Sequence, residues 1–167
     1  MPYDMMTENP GAQEKKDFLA LLDDITTHLW VGEAWHEKAA NEARKIAIRG
    51  VARWHEVEGC YDAKTRVCLE KLFRDKLNYA PAADMEMVDK AYKFTMNGAQ
   101  DFKGHFQAWI DREGRFIDSL NHAIALAGAV DMEIYKELCC LVDEVQNEKM
   151  RAKMVHDRLE LAGWNVQ

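Results

Sequence analysis

The chain has 167 residues, is 48% apolar and 31% charged, and carries a formal net charge of −7. That length suits one domain with a substantial core, and the interleaving of acidic and basic residues argues against nucleic acid or an anionic membrane surface as a partner. No window approaches membrane-spanning length and the N-terminal segment has no apolar run of signal-peptide type, so a cytoplasmic location is expected.

Residues 1–11 are polar and contain Pro2, Pro10 and Gly11, which predicts a flexible N-terminal arm ahead of a single domain over 12–167. A first long helix is expected from Ala12 to about Ala43, with Phe18, Leu21, Ile25, Gly32, Trp35 and Ala39 in steps of three and four. His28 falls on that stripe. Arg44 to Gly50 loses the pattern and reads as a turn. The second helix should run from about Val51 to Leu77, with Val51, Trp54, Leu69 and Leu72 on its inner face, and that face also passes through Glu58, Asp62 and Thr65. Asn78 to Pro81 stops it.

Asp84 is a candidate N-cap for a short helix reaching about Met96, which Asn97 and Gly98 end. A long helix follows from about Ala99 to Ala127, its stripe formed by Phe102, Phe106, Trp109, Phe116, Leu120 and Ile124, and Glu113 lies inside it. Asp131 can cap the final helix, which extends to Gly163 with Leu138, Leu141, Val145, Ala152, Val155 and Leu159 on one face. Glu148 interrupts that face and Glu144 borders it. The four cysteines, Cys60, Cys68, Cys139 and Cys140, lack zinc-ligand spacing and are expected as reduced thiols.

The pattern predicts an all-α fold: a four-helix bundle with a long crossover between the second and third long helices, a short extra helix in that crossover and no fifth helix after the last. His28 should lie level with Asp62, and Glu113 level with Glu144. Each long helix thus brings a carboxylate or imidazole to the interior, where such a group must be paired, protonated or bound to metal. His28, Glu58, Asp62, Glu113, Glu144 and Glu148 are the candidate metal ligands, a donor set suited to a di-iron site, with manganese or zinc as alternatives. A second polar level one or two turns away could gather His36, His55, Glu58 and His105.

The stretches DMEIYKELCCLVDEVQ and DRLELAG resemble the closing bundle helix of bacterial non-haem ferritins, and REGRFIDSLNHAIALA is similar to their third helix at its ligand glutamate. THLW and RGVARW resemble the first-helix ligand motif and the start of the second helix. The resemblance covers about residues 18–163. It implies a ferritin-like bundle that binds iron, oxidises Fe(II) with oxygen or peroxide, and stores or detoxifies it. The chain departs from that pattern at three ligand positions: His28 replaces a glutamate, Asp62 and Thr65 replace the Glu and His of Glu-x-x-His, and Val145 replaces a glutamine. Only Glu113 is unchanged among the central ligands.

An end just after the fourth long helix, together with WHEVEGCYDA, is similar to the Dps-type miniferritins, whose cages are smaller. Their DNA binding is not expected here, because the arm has no basic cluster. Trp30, Trp54 and Trp164 beyond the core stripes suggest a homo-oligomer, with a cage as one form. The alternative to iron chemistry is a non-catalytic scaffold with a degenerate site. A small di-metal oxygenase is a third reading.

Overall fold

The structure, a computed structural model, describes residues 2–95 and 99–161, with side chains described over 11–95 and 101–158. Five helices follow one another: α1 (Pro2–Lys45), α2 (Arg49–Leu77), α3 (Met85–Ala91), α4 (Ala99–Ala127) and α5 (Met132–Leu161). No strand occurs among the described residues, and the fold is all-α. The expected four-helix bundle without a fifth helix is corrected to five helices, the short helix expected in the connection being α3, a helix of its own. It is shorter than expected, ending at Ala91, while Met96, Asn97 and Gly98 lie outside the described residues, as do the side chain of Leu159 and residues Gly163 and Trp164.

The first helix begins at Pro2 and not at Ala12, so the residues assigned to a flexible arm continue the helical backbone. It closes at the α1–α2 turn, where Ala47 adopts a left-handed conformation (φ 62°) and the Ile48 N–H donates to the Ala43 carbonyl at 2.9 Å. Asn78 ends α2 in the same region (φ 50°), its N–H donating to the Arg74 carbonyl at 3.0 Å. Asparagine tolerates this conformation better than alanine does. The two expected N-caps form: Asp84 Oδ1 accepts from the Met87 N–H, and Asp131 Oδ1 accepts from those of Glu133 and Ile134.

Residue pairings fix the helix directions. His28 meets Glu113 while Trp35 stacks on Trp109, so α4 runs antiparallel to α1. Arg151 reaches Glu58 while Lys76 reaches Glu133, so α5 runs antiparallel to α2. With α1 and α2 joined by a short turn, α2 and α4 are parallel, and the connection between them must traverse the length of the helices. Asp23 anchors its beginning, accepting from the Tyr79 hydroxyl at 2.7 Å and the Ala82 N–H at 2.8 Å, and Thr27 Oγ1 accepts from the Asp84 N–H. The long helices touch in a ring, α1 to α2 to α5 to α4 and back, and α3 packs on α1.

Two apolar clusters fill the interior. One gathers Phe18, Leu22, Ile25, Phe73, Phe116, Leu120 and Leu138 with their neighbours, and the other gathers Val31, Trp35, Val51, Phe102, Phe106 and Trp109 with theirs. Between and beside them lies a buried polar layer containing His28, His36, His55, Glu58, Asp62, Glu113 and Glu148. Burial at this scale stabilises by about 25 cal/mol per Å2 of apolar surface, so the two clusters can hold the fold while the layer between them remains costly. No described helix is long and apolar enough to cross a membrane.

Candidate metal centre

Three helices each deliver one buried donor to a common point. His36 of α1, Asp62 of α2 and Glu148 of α5 offer ligand atoms that all lie within 4.8 Å of one another. His36 Nε2 is 3.2 Å from Glu148 Oε1 and 3.7 Å from Asp62 Oδ2. On the other side of the ring, His36 Nδ1 lies 3.0 Å from Nδ1 of His55, so one of the two nitrogens must donate to the other. The second nitrogen of His55, Nε2, is buried without a partner.

Glycines on the facing helices create the space. A Cβ at position 32 would overlap Asp62 Oδ2, and one at position 59 would come within 3.1 Å of the Cβ of His36. Gly32 and Gly59 therefore let α1 and α2 approach closely enough for His36, Asp62 and His55 to share one layer. Aromatic rings wall the layer on the α4 side, where Trp109 packs against both His36 and His28.

A second pair lies along α1. His28 Nε2 is 3.0 Å from Glu113 Oε1, and the His28 ring stacks on Phe116 at 3.6 Å. The other carboxyl oxygen, Glu113 Oε2, is buried and unpartnered. Glu58 behaves differently. Arg151 clamps it through Nε at 2.9 Å and Nη2 at 3.2 Å, and the same Nη2 reaches Glu144 at 2.8 Å.

Burial drives the titration of the layer. It pushes Asp62 well above the usual carboxylate range, reinforced by Glu148, Glu113 and Glu58, and it does the same to Glu113, reinforced by Glu148. Burial also holds His28 and His55 well below the usual imidazole range, with Arg112 adding to the effect on His28 and His36 to that on His55. Glu58 is raised by burial and partly restrained by its hydrogen bonds from Arg151. Burial thus works against the charged forms of Asp62, Glu113, His28 and His55 alike.

Several expected neighbours are rearranged. His28 faces Glu113 on α4, and Asp62 faces His36, two turns further along α1. The residue after Glu113 sits against Lys149, so Glu113 comes level with the region of Glu148 and not with Glu144. Glu144 is half-buried beside Arg151 and outside the three-residue group. Of the second polar level, His36 and His55 do meet, whereas His105 packs on Phe94 and Glu58 is held by Arg151. His36, named for the second polar level and not for the central ligand set, is the residue on which Asp62 and Glu148 converge. Its signal was the spacing His28, Gly32, His36, one helical face in steps of four.

Comparison with known proteins adds no relative: no family model, no curated protein and no solved structure matches the chain.

Proposed function

We propose that this chain is a ferritin-like four-helix bundle, with α3 as an added helix in its crossover, that binds divalent iron in the buried polar layer and supports its oxidation for storage or detoxification. The observation that carries this reading is the convergence of His36, Asp62 and Glu148 from three helices on one buried point. Imidazole with two carboxylates suits iron, manganese or zinc, and carboxylate oxygens suit both iron oxidation states. The layer fits a cation in a second respect: burial works against the charged forms of Asp62 and Glu113, a cost that a bound metal would offset.

With Fe(II) as substrate, His36 Nε2, Asp62 and Glu148 are the primary ligands, and His36 Nδ1–H would donate to His55, the supporting hydrogen bond that ligating histidines characteristically make. Glu113, with its unpartnered Oε2 and its contact to His28, is the candidate for a second position. Electrons from Fe(II) pass to oxygen or peroxide. One observation favours the scaffold alternative: Arg151 already neutralises Glu58 and Glu144, as a degenerate site would require.

Self-association is part of the proposal. Trp30 is covered by the Arg66 guanidinium, 3.5 Å above its ring, and Trp54 packs on the core, so the tryptophans do not supply the sticky surface. Support comes instead from exposed Val57 and Tyr61 on α2 and Met150 and Met154 on α5, helices that touch each other.

Anaerobic equilibrium dialysis against Fe(II), followed by absorbance on adding oxygen, tests the reading. The expected result is at least one Fe(II) held per wild-type chain, with affinity weakened about tenfold or more in His36→Gln and Glu148→Gln. No uptake by the wild type, or equal uptake in all three, supports the scaffold instead.

A further inference from the structure

A cavity of about 440 Å3 opens between α1, α3 and α4, lined by Trp35 and Trp109, the two rings that also pack on His36. Its size falls among small-molecule sites, which run from about 300 to 1,000 Å3. The lining is aromatic. Trp35 and Trp109 stack with centroids 4.6 Å apart and planes 9° from parallel, and Phe94 and His105 pack together at 4.6 Å beside them. The helix α3 and Phe94 after it supply the outer wall, so the long connection builds this cavity as well as spanning the fold.

The lining carries Lys90, Arg112 and Arg115 and no carboxylate, in a chain whose net charge is −7. Lys90 shares its charge with exposed Glu86. Neither Arg112 nor Arg115 forms an ion pair among the described residues. Arg112 is mostly buried, and its Nε has no hydrogen-bond partner at all. Solvated cations on a helix face would be unremarkable at Arg115. They do not explain Arg112, whose guanidinium lies in the cavity wall without an ion pair, where burial of its charge costs free energy that an anion would offset. Glu113 and Asp62 favour the charged guanidinium through space, but neither forms an ion pair with it or fills its Nε.

Aromatic faces and cationic side chains in one cavity specify the ligand class, since a flat π-system stacks on the rings while an anionic group pairs with the guanidiniums. We infer that this cavity binds a small planar aromatic anion, its ring system against Trp35, Trp109 and Phe94 and its carboxylate on Arg112 and Arg115. The site is separate from the polar layer, and the inference does not depend on iron.

Calorimetric titration of the full metal-free chain with 2-naphthoate and with 2-naphthamide tests it, because the two share a ring system and differ in charge. The naphthoate should bind at least tenfold more tightly than the amide and quench tryptophan emission. Arg112→Gln and Arg115→Gln should each reduce that preference at least fivefold, and Lys153→Gln, an exposed lysine elsewhere, should leave it intact. Arg115 is exposed, so Arg115→Gln decides the matter if Arg112→Gln fails to fold. Equal binding of acid and amide, no binding of either, or a preference that survives Arg115→Gln would overturn the inference.

Discussion

Gly32 on α1 faces the carboxylate of Asp62 on α2 so closely that a Cβ at position 32 would overlap Asp62 Oδ2, and the same Cβ would lie 3.2 Å from Trp109. Elsewhere in a helix, replacing Gly by Ala gains about 1 kcal/mol of propensity. At position 32 that gain competes with overpacking, which costs about 1–3 kcal/mol. Gly32→Ala should therefore destabilise modestly and displace Asp62 from His36. Gly104→Ala on α4, where a Cβ meets nothing within 4 Å, should stabilise by about 1 kcal/mol. Urea denaturation of the two variants reads both signs. A Gly32→Ala protein as stable as Gly104→Ala would mean that α1 and α2 are not held in this close approach.

The α1–α2 turn offers a second test. Ala47 holds φ 62°, a region that costs a residue with a Cβ about 1–2 kcal/mol, and its side chain is exposed. Glycine removes that cost but adds about 0.4–1 kcal/mol of unfolded-chain entropy to be lost. Ala47→Gly is expected to raise stability by about 0.5–1 kcal/mol, measured as a shift in denaturation midpoint at unchanged slope. A loss of stability would place Ala47 outside the left-handed region.

Much of this architecture was legible because it is local. Helical spacing put Glu113 and Glu148 on core faces, and cap chemistry marked Asp84 and Asp131, since both signals are written within a few adjacent residues. The pairing of polar groups was not local. Spacing set Glu148 inside the apolar face and Glu144 at its border, but it did not show that Arg151 holds half-buried Glu144 together with buried Glu58 while Glu148 meets His36. Which acid turns inward depends on helix rotation and on the position of a cation three residues away. His36 was read only as part of a displaced second polar level, because nothing local to it shows that α2 comes close enough at Gly32 and Gly59 to bring Asp62 and His55 to its ring. Arg112 escaped notice because arginine on a helix reads as solvent-facing.

The clamp formed by Arg151 on Glu58 and Glu144 can be separated from the metal question. Glu58 is buried while the Arg151 side chain is 41% exposed, so the pair lies between a surface bridge worth about 0–1 kcal/mol and a buried one whose breakage costs about 3–5 kcal/mol. Arg151→Gln should cost about 1–3 kcal/mol in the metal-free protein. It also frees Glu58 to act as a ligand, so Fe(II) or Zn(II) should restore part of the lost stability. A variant destabilised equally with and without metal would confine Glu58 to a structural role.

The last prediction concerns pH, and its sign follows from the direction in which burial moves Asp62 and Glu113. Both hold their protons more tightly in the fold than in the unfolded chain, where the values are about 3.9 for Asp and 4.3 for Glu. Such a group contributes its full stability below the unfolded value and loses it as pH rises through the folded one. Asn at 62 and Gln at 113 keep the shape of the protonated acid and cannot ionise. The stability of Asp62→Asn and Glu113→Gln relative to wild type should thus climb with pH from about 4 and level off above the folded values, each tenfold change in proton affinity corresponding to about 1.4 kcal/mol. His28 and His55 work in the opposite sense, their contribution being present above about pH 6.5 and lost on acidification, but both remain in the variants and largely cancel from the difference. Denaturation in chelator from pH 4 to 8 measures it. A pH-independent difference would show that the two acids ionise in the fold as readily as in the unfolded chain. At a pH below the folded value of Asp62, adding Zn(II) to the wild type should release protons into unbuffered solution, and Asp62→Asn should release fewer, because a metal takes a carboxylate only as its proton leaves.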